Sequence, residues 1–229
     1  MMRSRIPAII LLLCILQTTV NASVYLPAGL NPGDQYQLAF VTSGTVDATS
    51  SSIATYNDHV MTDASLNPIL GTSDGVTYTA IASTSDDHAR DNALVEHPVY
   101  NLDGDKVADG FVDMWDGGIG APIAPFSVPG IYVWTGSGWD GYGFASFMLG
   151  VEEYYVVVGA PASLTENWVF DSIEPNSATD HYPLYGLSSV ITVPGTEEPV
   201  PEPASVVTWA LLGTVGCIGT WWNRRRKAG

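Results

Sequence analysis

The sequence predicts an α+β fold that is mostly β, in a single domain with one main helix near its start. Short segments rich in β-branched and aromatic residues recur along the chain, and turn-forming glycine, asparagine and aspartate separate them. Only one stretch carries apolar residues at helical spacing. One helix followed by many short strands and long loops is typical of the α+β class.

The first predicted elements are a strand and the helix. Residues 36–41 are rich in strand-forming residues in an alternating pattern, so they predict a strand. A turn-rich segment, residues 44–50, leads to a helix over residues 51–64, for which serine and threonine side chains are available as N-caps. One face of that helix carries Ile53, Tyr56, Asn57 and Val60.

The remaining predicted elements are strands. We expect a β-hairpin over residues 98–108, because Asp103-Gly104 between two strand-like segments favours a turn of the primed type. We expect strand 153–158 to be central in its sheet. The other strands are predicted at residues 77–83, 131–135 and 190–193.

The charge of the chain is strongly acidic and unevenly distributed. The formal net charge is −16, with 8 basic and 24 acidic side chains. Residues 23–200 contain 23 of the acids but only two bases, Arg90 and Lys106. A chain of this charge cannot neutralise a phosphate backbone, which excludes a basic nucleic-acid binder. The negative electrostatic field of such a chain attracts cations, and the same net charge would keep a protein outside the cell soluble.

The N-terminal segment, residues 1–22, is typical of a secretory signal peptide. Arg3 and Arg5 form a basic start, residues 6–16 form an apolar run too short to span a bilayer, and small residues end the segment at Ala22. A buried N-terminal helix is the alternative, but it does not explain why these three features occur together. We therefore expect an exported protein whose mature chain begins at Ser23.

The C-terminal segment predicts a membrane anchor. A Pro- and Glu-rich spacer, residues 194–203, precedes an apolar run over residues 204–222 that approaches the length of a membrane helix. Aromatic residues end this run, and the basic residues of segment 223–229 favour the cytoplasmic side. The domain over residues 23–193 would then lie outside the membrane.

The order of these C-terminal features resembles a known sorting signal. Pro201-Glu202-Pro203, then an apolar helix, then a short Arg-rich end resembles the PEP-CTERM signal of Gram-negative and related bacteria. The resemblance implies that a membrane-embedded exosortase cuts near the motif and removes the tail. It also implies a bacterium that makes extracellular polysaccharide.

The domain itself resembles C-type-lectin-like or endostatin-like domains over roughly residues 36–150. The segments that carry the resemblance include Leu38-Ala-Phe-Val-Thr-Ser-Gly44, Asp87-His-Ala-Arg-Asp91, Asp113-Met-Trp-Asp-Gly117 and Val133-Trp-Thr-Gly136. The only cysteines, Cys14 and Cys217, lie in the predicted signal peptide and anchor, and the Trp-Asn-Asp sugar motif is absent. The resemblance therefore does not imply a disulfide or calcium-dependent monosaccharide binding.

A cluster of acidic residues is the candidate metal site. Calcium binds several oxygen ligands in flexible geometry, and closely spaced aspartates supply such ligands, although their spacing is not that of an EF-hand. The alternative is that Asp103 is only part of a turn and that the other aspartates cap helices or face solvent. The predicted ligands are Asp103, Asp105, Asp109, Asp113 and Asp116.

Aromatic residues form the candidate ligand surface, because their ring faces stack on sugar rings. Trp134 lies in a predicted strand and is expected in the core, and Trp115 is expected to anchor a loop. Trp139 and Tyr142 lie in a glycine-rich segment that gives them little local cover, so we expect these two to be exposed and to bind ligand. A place in the core is the alternative for each of them.

The sequence predicts no catalytic centre. The four histidines do not fall at spacings that place two on one helical face, and no His-Glu-x-x-His motif is present. The adjacent pairs Asp86-Asp87 and Glu152-Glu153 would point to opposite faces of a strand. Arg90, flanked by Asp87 and Asp91, is expected to form a structural ion pair.

These observations predict an exported, membrane-anchored and then exosortase-processed protein of the cell surface or extracellular matrix. We expect it to be non-catalytic and to contact exopolysaccharide or a surface partner. Two alternatives remain, a purely structural matrix component and a secreted polysaccharide-modifying enzyme, which would assemble distant carboxylates.

Overall fold

A computed structural model describes residues 24–71, 75–124, 131–151, 155–172 and 177–195. Within them the fold is mixed α+β, mostly sheet, with one main helix, as predicted. The strands are β1 (Gln35–Val41), β2 (Tyr78–Ala80), β3 (Val99–Tyr100), β4 (Lys106–Ala108), β5 (Val133–Trp134), β6 (Val158–Gly159), β7 (Tyr185–Ser188) and β8 (Ile191–Thr192). The helices are α1 (Ile53–Leu66), α2 (Ala89–Asn92) and α3 (Phe111–Met114), with 3₁₀ turns at Ala145–Phe147 and Glu166–Trp168.

The chain divides into two compact units. Of the described residues, the larger contains those within 24–28 and 36–191, and the smaller contains 29–35 and 192–195. In the smaller unit the Val193 N–H donates to the Asp34 carbonyl (2.8 Å), and the Gly33 N–H donates to the Val193 carbonyl (3.0 Å). The domain boundaries drawn from the sequence, residues 23–193, stay a prediction.

Strand β1 is the centre of the main sheet. The order is β2-β7-β1-β3-β4, and β8 also pairs with β1. The pairs β1–β7, β2–β7 and β3–β4 are antiparallel, whereas β1 and β3 are parallel. β5 and β6 form a separate antiparallel pair. The parallel β1–β3 pair is possible because α1, β2 and α2 lie between the two strands in the sequence and supply the long crossover that parallel pairing needs.

Helix α1 packs against edge strand β2 with the face predicted from the sequence. Tyr56 and Val60 are fully buried. Asn57, on the same face, accepts the Ala80 N–H at its Oδ1 (2.8 Å) and exchanges two side-chain hydrogen bonds of 2.9 Å with Asn92. These amides satisfy backbone groups that an edge strand otherwise leaves open. A serine, Ser52, is the N-cap residue, but its side chain makes no capping hydrogen bond.

The predicted hairpin is confirmed, but its turn is not of the primed type. Gly104 has φ +91° while Asp103 is not in the left-handed region, and the Gly104 N–H donates to the Asn101 carbonyl (3.2 Å). This is the three-residue loop in which one glycine follows an ordinary turn. The reason lies in Asn101, whose side-chain oxygen accepts the N–H groups of Asp103 (3.0 Å) and Asp105 (2.9 Å) and so stabilises the longer loop.

The strand predicted at residues 153–158 is wrong in extent and position. Only Val158 and Gly159 form a strand among the described residues there, and this strand pairs with β5 outside the main sheet. Val156, Val157 and Val158 are fully buried, so the apolar run reflects burial rather than a long strand. A short apolar run is consistent both with a buried strand and with a buried segment of another kind, and periodicity alone does not distinguish the two.

The strand between β1 and β2 in the sheet, β7, was not predicted. It is only four residues long and contains Gly186, which lowers its apparent strand propensity. The glycine is required by packing. A Cβ atom at Gly186 would collide with the Phe40 ring and would lie 2.8 Å from Cγ1 of Val60.

Buried tyrosines complete the core, and their hydroxyls find backbone partners. Tyr36 donates to the Tyr25 carbonyl (2.7 Å), Tyr56 to the Ser50 carbonyl (2.8 Å) and Tyr185 to the Trp168 carbonyl (2.6 Å). Burial disfavours the charged phenolate, which raises the pKa of Tyr36 to about 12.

The predicted targeting segments lie outside the described residues. These are the signal peptide 1–22, the Pro201-Glu202-Pro203 motif, the membrane helix 204–222 and the basic tail 223–229. Among the described residues, no helix has the length and apolar character needed to cross a membrane.

We predict that Gly186→Ala destabilises the fold by about 1–3 kcal/mol, because the added methyl overpacks the contact with Phe40. The measurement is the urea midpoint of unfolding, followed by circular dichroism. Gly195→Ala is the matched control, since a Cβ atom there has no neighbour within 4 Å. Equal midpoints for Gly186→Ala and the unmodified protein would contradict the packing argument.

Candidate ligand-binding surface

The structure exposes the two aromatic side chains that the sequence singled out. Trp139 and Tyr142 each keep 47% of their surface accessible, whereas Trp134 is fully buried, as predicted for a core residue. Trp115 is also buried, in agreement with its predicted role as a loop anchor. We call residues 136–143, which carry the two exposed rings, the aromatic loop.

The aromatic loop is a tight, hydrogen-bonded turn. The Gly138 N–H donates to the Tyr142 carbonyl (2.8 Å), and the Gly141 N–H donates back to the Gly138 carbonyl (3.0 Å). The Asp140 side chain accepts the Tyr142 N–H (3.2 Å). Gly141 has φ +78°, a conformation that glycine adopts without strain. Trp139 therefore lies at the tip of a turn whose backbone is internally fixed.

A buried tryptophan supports the loop from the interior. A Cβ atom at Gly141 would lie 2.6 Å from Cε3 of Trp115, so only glycine lets the loop backbone rest on this ring. Trp115 in turn packs on Trp168, with ring centroids 5.6 Å apart. A Cβ atom at Gly117 would lie 3.7 Å from the Trp139 ring, which places that ring beside the segment that follows Trp115.

The α2 region holds the loop from its side. The His88 Nδ1 atom accepts the Gly143 N–H (3.1 Å), and the His88 ring meets Tyr142 edge to face at 5.1 Å. The Arg90 N–H donates to the Gly141 carbonyl (3.1 Å), and its Nη1 donates to the Asp140 carbonyl (3.1 Å). Most of these bonds end on backbone atoms of the loop, so they fix its path without covering Trp139.

The predicted ion pair of Arg90 is wrong. Its guanidinium carbon lies 4.7 Å from the Phe111 ring centroid and 4.5 Å from that of Tyr142. Among the described residues the one ion pair joins Lys106 and Asp109, so neither Asp87 nor Asp91 pairs with Arg90. An exposed carboxylate gains little from such a pair because water already solvates it, whereas ring faces attract a partly desolvated guanidinium.

Three of the five predicted metal ligands line one cavity of about 420 Å³, namely Asp109, Asp113 and Asp116. Asp109 pairs with Lys106 and so raises the pKa of the lysine. Asp113 accepts the Asp109 N–H (2.7 Å), and Asp116 accepts the Gly118 N–H (3.3 Å). These are local bonds to the backbone made by aspartates that face solvent, as the alternative interpretation expects.

The other two predicted ligands lie in the β3–β4 turn. Asp103 lines a different cavity, of about 620 Å³, and the N–H groups of Asp103 and Asp105 bind the Asn101 side chain. In the part of the chain that the structure describes, no three acidic, histidine or cysteine side chains form a group able to hold a metal ion. Calcium binding stays a prediction, whether by all five aspartates or only by Asp109, Asp113 and Asp116, which share a cavity.

The cavity beside Asp103 was not predicted from the sequence. Its walls are mostly apolar, with His181 and Tyr182 at one part of the lining and Thr42 and Ser43 at another. The lining comes from six separate segments of the chain, and no spacing of residues in the sequence indicates that these segments meet. A sequence pattern alone could not have found it.

Two short motifs bear on catalysis and sugar binding, and sequence analysis missed both. Gly71-Thr-Ser-Asp-Gly75 matches the Gly-x-Ser-x-Gly pattern, but it follows α1 and precedes β2, whereas a nucleophile elbow follows a strand and precedes a helix. Glu174-Pro175-Asn176 has the same three residues as a sugar-binding tripeptide found in C-type lectins. Its residues lie outside the described part of the chain, and the companion Trp-Asn-Asp is absent from the sequence.

Comparison with known proteins adds no relative. No protein-family model matches the chain, and a search of curated proteins found no match.

We predict that calcium, if held by the aspartates that share a cavity, raises the melting temperature by about 2–4 °C for each kcal/mol of binding. The measurement is thermal unfolding in millimolar calcium and in chelator. Asp113→Asn/Asp116→Asn should abolish the difference, and Asp103→Asn/Asp105→Asn, in the separate turn, should keep it. Identical melting in calcium and chelator would refute the site.

Proposed function

We propose that this protein is an exported, non-catalytic component of the bacterial cell surface or extracellular matrix. Its lectin-like domain binds exopolysaccharide through Trp139 and Tyr142. A membrane anchor holds the chain until an exosortase removes the C-terminal segment. The observation that carries the binding proposal is a pair of half-exposed aromatic side chains on a loop whose backbone is fixed.

A fixed loop makes these side chains suited to binding. Exposed aromatic rings lose contact with water when a sugar ring stacks on them, and their faces attract its C–H groups. Because the turn and its supports already hold the loop, little conformational entropy is lost on binding. Rigid aromatic anchors with adaptable polar neighbours are common in binding surfaces, and Asp140 and Arg90 supply polar groups beside these rings.

Support for export and sorting comes from the sequence. The signal peptide over residues 1–22 predicts transfer across the inner membrane. Pro201-Glu202-Pro203, the apolar segment 204–222 and the basic tail 223–229 stand in the order expected of a PEP-CTERM signal. The tail would face the cytoplasm, and the domain would face the opposite side.

Support for a lectin-like domain comes from the segments that resemble C-type-lectin-like and endostatin-like proteins. The α+β class of the described residues is compatible with that assignment. Three of the four segments lie at the aromatic loop or beneath it. Of these three, the first supplies His88 and Arg90, the second supplies Trp115, and the third ends in Gly136, the first residue of the loop.

We predict that Trp139→Ala weakens binding to the producing organism's extracellular polysaccharide about tenfold, which corresponds to about 1.4 kcal/mol. Tyr142→Ala should weaken it as well, because each ring supplies a stacking face. The measurement is co-sedimentation of the full-length protein, kept soluble in detergent, with the purified polysaccharide, in calcium and again in chelator.

Tyr155→Ala is the matched control for these variants, since Tyr155 is also 47% exposed but packs on Phe147 rather than on the aromatic loop. It should bind like the unmodified protein. Absence of binding by the unmodified protein in both conditions would favour a purely structural matrix component. Turnover of the polysaccharide would favour the enzyme alternative.

We predict that replacing Pro201-Glu202-Pro203 by three alanines stops removal of the tail in cells that contain an exosortase. The measurement is mass spectrometry of the intact protein from membrane and secreted fractions. The altered protein should keep the Arg-rich end and stay in the membrane fraction. Retention of the tail by the unmodified protein would refute the sorting proposal.

A further inference from the structure

Among the described residues Arg90 has no acidic partner, although the chain is strongly acidic. Residues 23–200 hold only two basic side chains. Lys106 pairs with Asp109, and Arg90 pairs with no carboxylate of the described residues. Arg90 instead contacts Tyr142, one of the two proposed ligand-binding rings. The unpaired positive charge therefore lies at the edge of the proposed binding surface.

The contacts of the guanidinium leave part of its edge open. Phe111 and Tyr142 contact it through their ring faces, at 4.7 Å and 4.5 Å from the guanidinium carbon. Nη1 donates to the Asp140 carbonyl. Among the described residues Nε and Nη2 have no hydrogen-bond partner, and neither atom is fully buried. Donors of the guanidinium therefore remain accessible to an acceptor from solvent.

A guanidinium held in this way suits one kind of group best. Its planar N–H donors match the two oxygens of a carboxylate, and charge-assisted bonds of this type are about twice as strong as neutral ones. The stacked rings fix the orientation of the plane and reduce the side-chain entropy lost on binding.

We propose that Arg90 binds the carboxylate of an acidic sugar, such as a uronate, while the sugar ring stacks on the aromatic loop. Arg90 is then the residue that selects carboxylate-bearing polysaccharide over its neutral counterpart. This inference rests on the proposed function, since it names the sugar class for the same surface.

The acidity of the domain is compatible with this selection. At physiological ionic strength the Debye length is about 8 Å, so carboxylates farther from Arg90 are largely screened. Elsewhere the acidic surface repels a polyanion, and this repulsion opposes binding of the polysaccharide at any other position on the surface. One correctly placed cation beside a stacking ring therefore gives specificity without a general affinity for anions.

The test uses two forms of one polysaccharide. The producing organism's extracellular polysaccharide is divided, and in one half the uronate carboxyls are reduced to alcohols, which leaves the chain and its sugar rings in place. We expect the full-length protein in detergent to bind the reduced form about tenfold more weakly. Arg90→Gln should bind the native form as weakly as the unmodified protein binds the reduced form, and its binding of the reduced form should not change.

Lys106→Gln is the matched control, because it removes the other cation of residues 23–200 without touching the aromatic loop, and it should keep the preference. Equal binding of the two forms by the unmodified protein would overturn the role of Arg90 and leave the proposed function standing. If Arg90→Gln weakens binding of the native and the reduced polysaccharide equally, Arg90 only supports the loop, and this result also overturns the inference. Binding of neither form would refute the proposed function itself.

Discussion

A column of buried aromatic rings connects the central sheet to the surface and determines where the aromatic loop lies. Tyr185 of β7 packs on Trp168 with centroids 5.7 Å apart, and Trp168 packs on Trp115 at 5.6 Å. The Tyr185 hydroxyl also donates to the Trp168 carbonyl (2.6 Å), so the column has a directional bond as well as packing. At its outer end Trp115 meets Gly141. Because protein interiors are close-packed, a shift in any ring is transmitted to the loop.

Charge and packing act together at this loop. The predicted domain has few cations, and the structure uses them differently: Lys106 offsets one carboxylate, while Arg90 lies between aromatic rings. A guanidinium is more weakly hydrated than an ammonium, so arginine is better suited than lysine to a position between rings. The same residue donates its backbone N–H to the Gly141 carbonyl, and it thereby couples the position of the charge to the position of the turn.

The sequence was sufficient for features that depend on local patterns. Helix α1, strand β1 and the β3–β4 hairpin follow from residue spacing, and the exposure of Trp139 follows from the glycines around it. Features that depend on distant contacts could not be predicted. β7 forms a strand because β1 and β2 pair with it on both sides, and the environment of Arg90 depends on Phe111 and Tyr142, which lie 21 and 52 residues along the chain. The ion pair was predicted because Asp87 and Asp91 are close to Arg90 in the sequence, and the sequence does not show the distant rings that contact Arg90 instead.

The way the loop is supported also separates the ligand surface from the fold. The supports end mainly on backbone atoms, the Gly141 and Asp140 carbonyls and the Gly143 N–H. The core beneath ends at Gly141, a residue without a side chain. Trp139 therefore extends from a turn that does not need its ring, while the Tyr142 ring has a second role in contacting Arg90. Substitution of Trp139 should thus alter the binding surface without altering stability. Substitution of Tyr142 also removes one of the two rings that contact the Arg90 guanidinium. The two positions are therefore not equivalent, although both belong to the same binding surface.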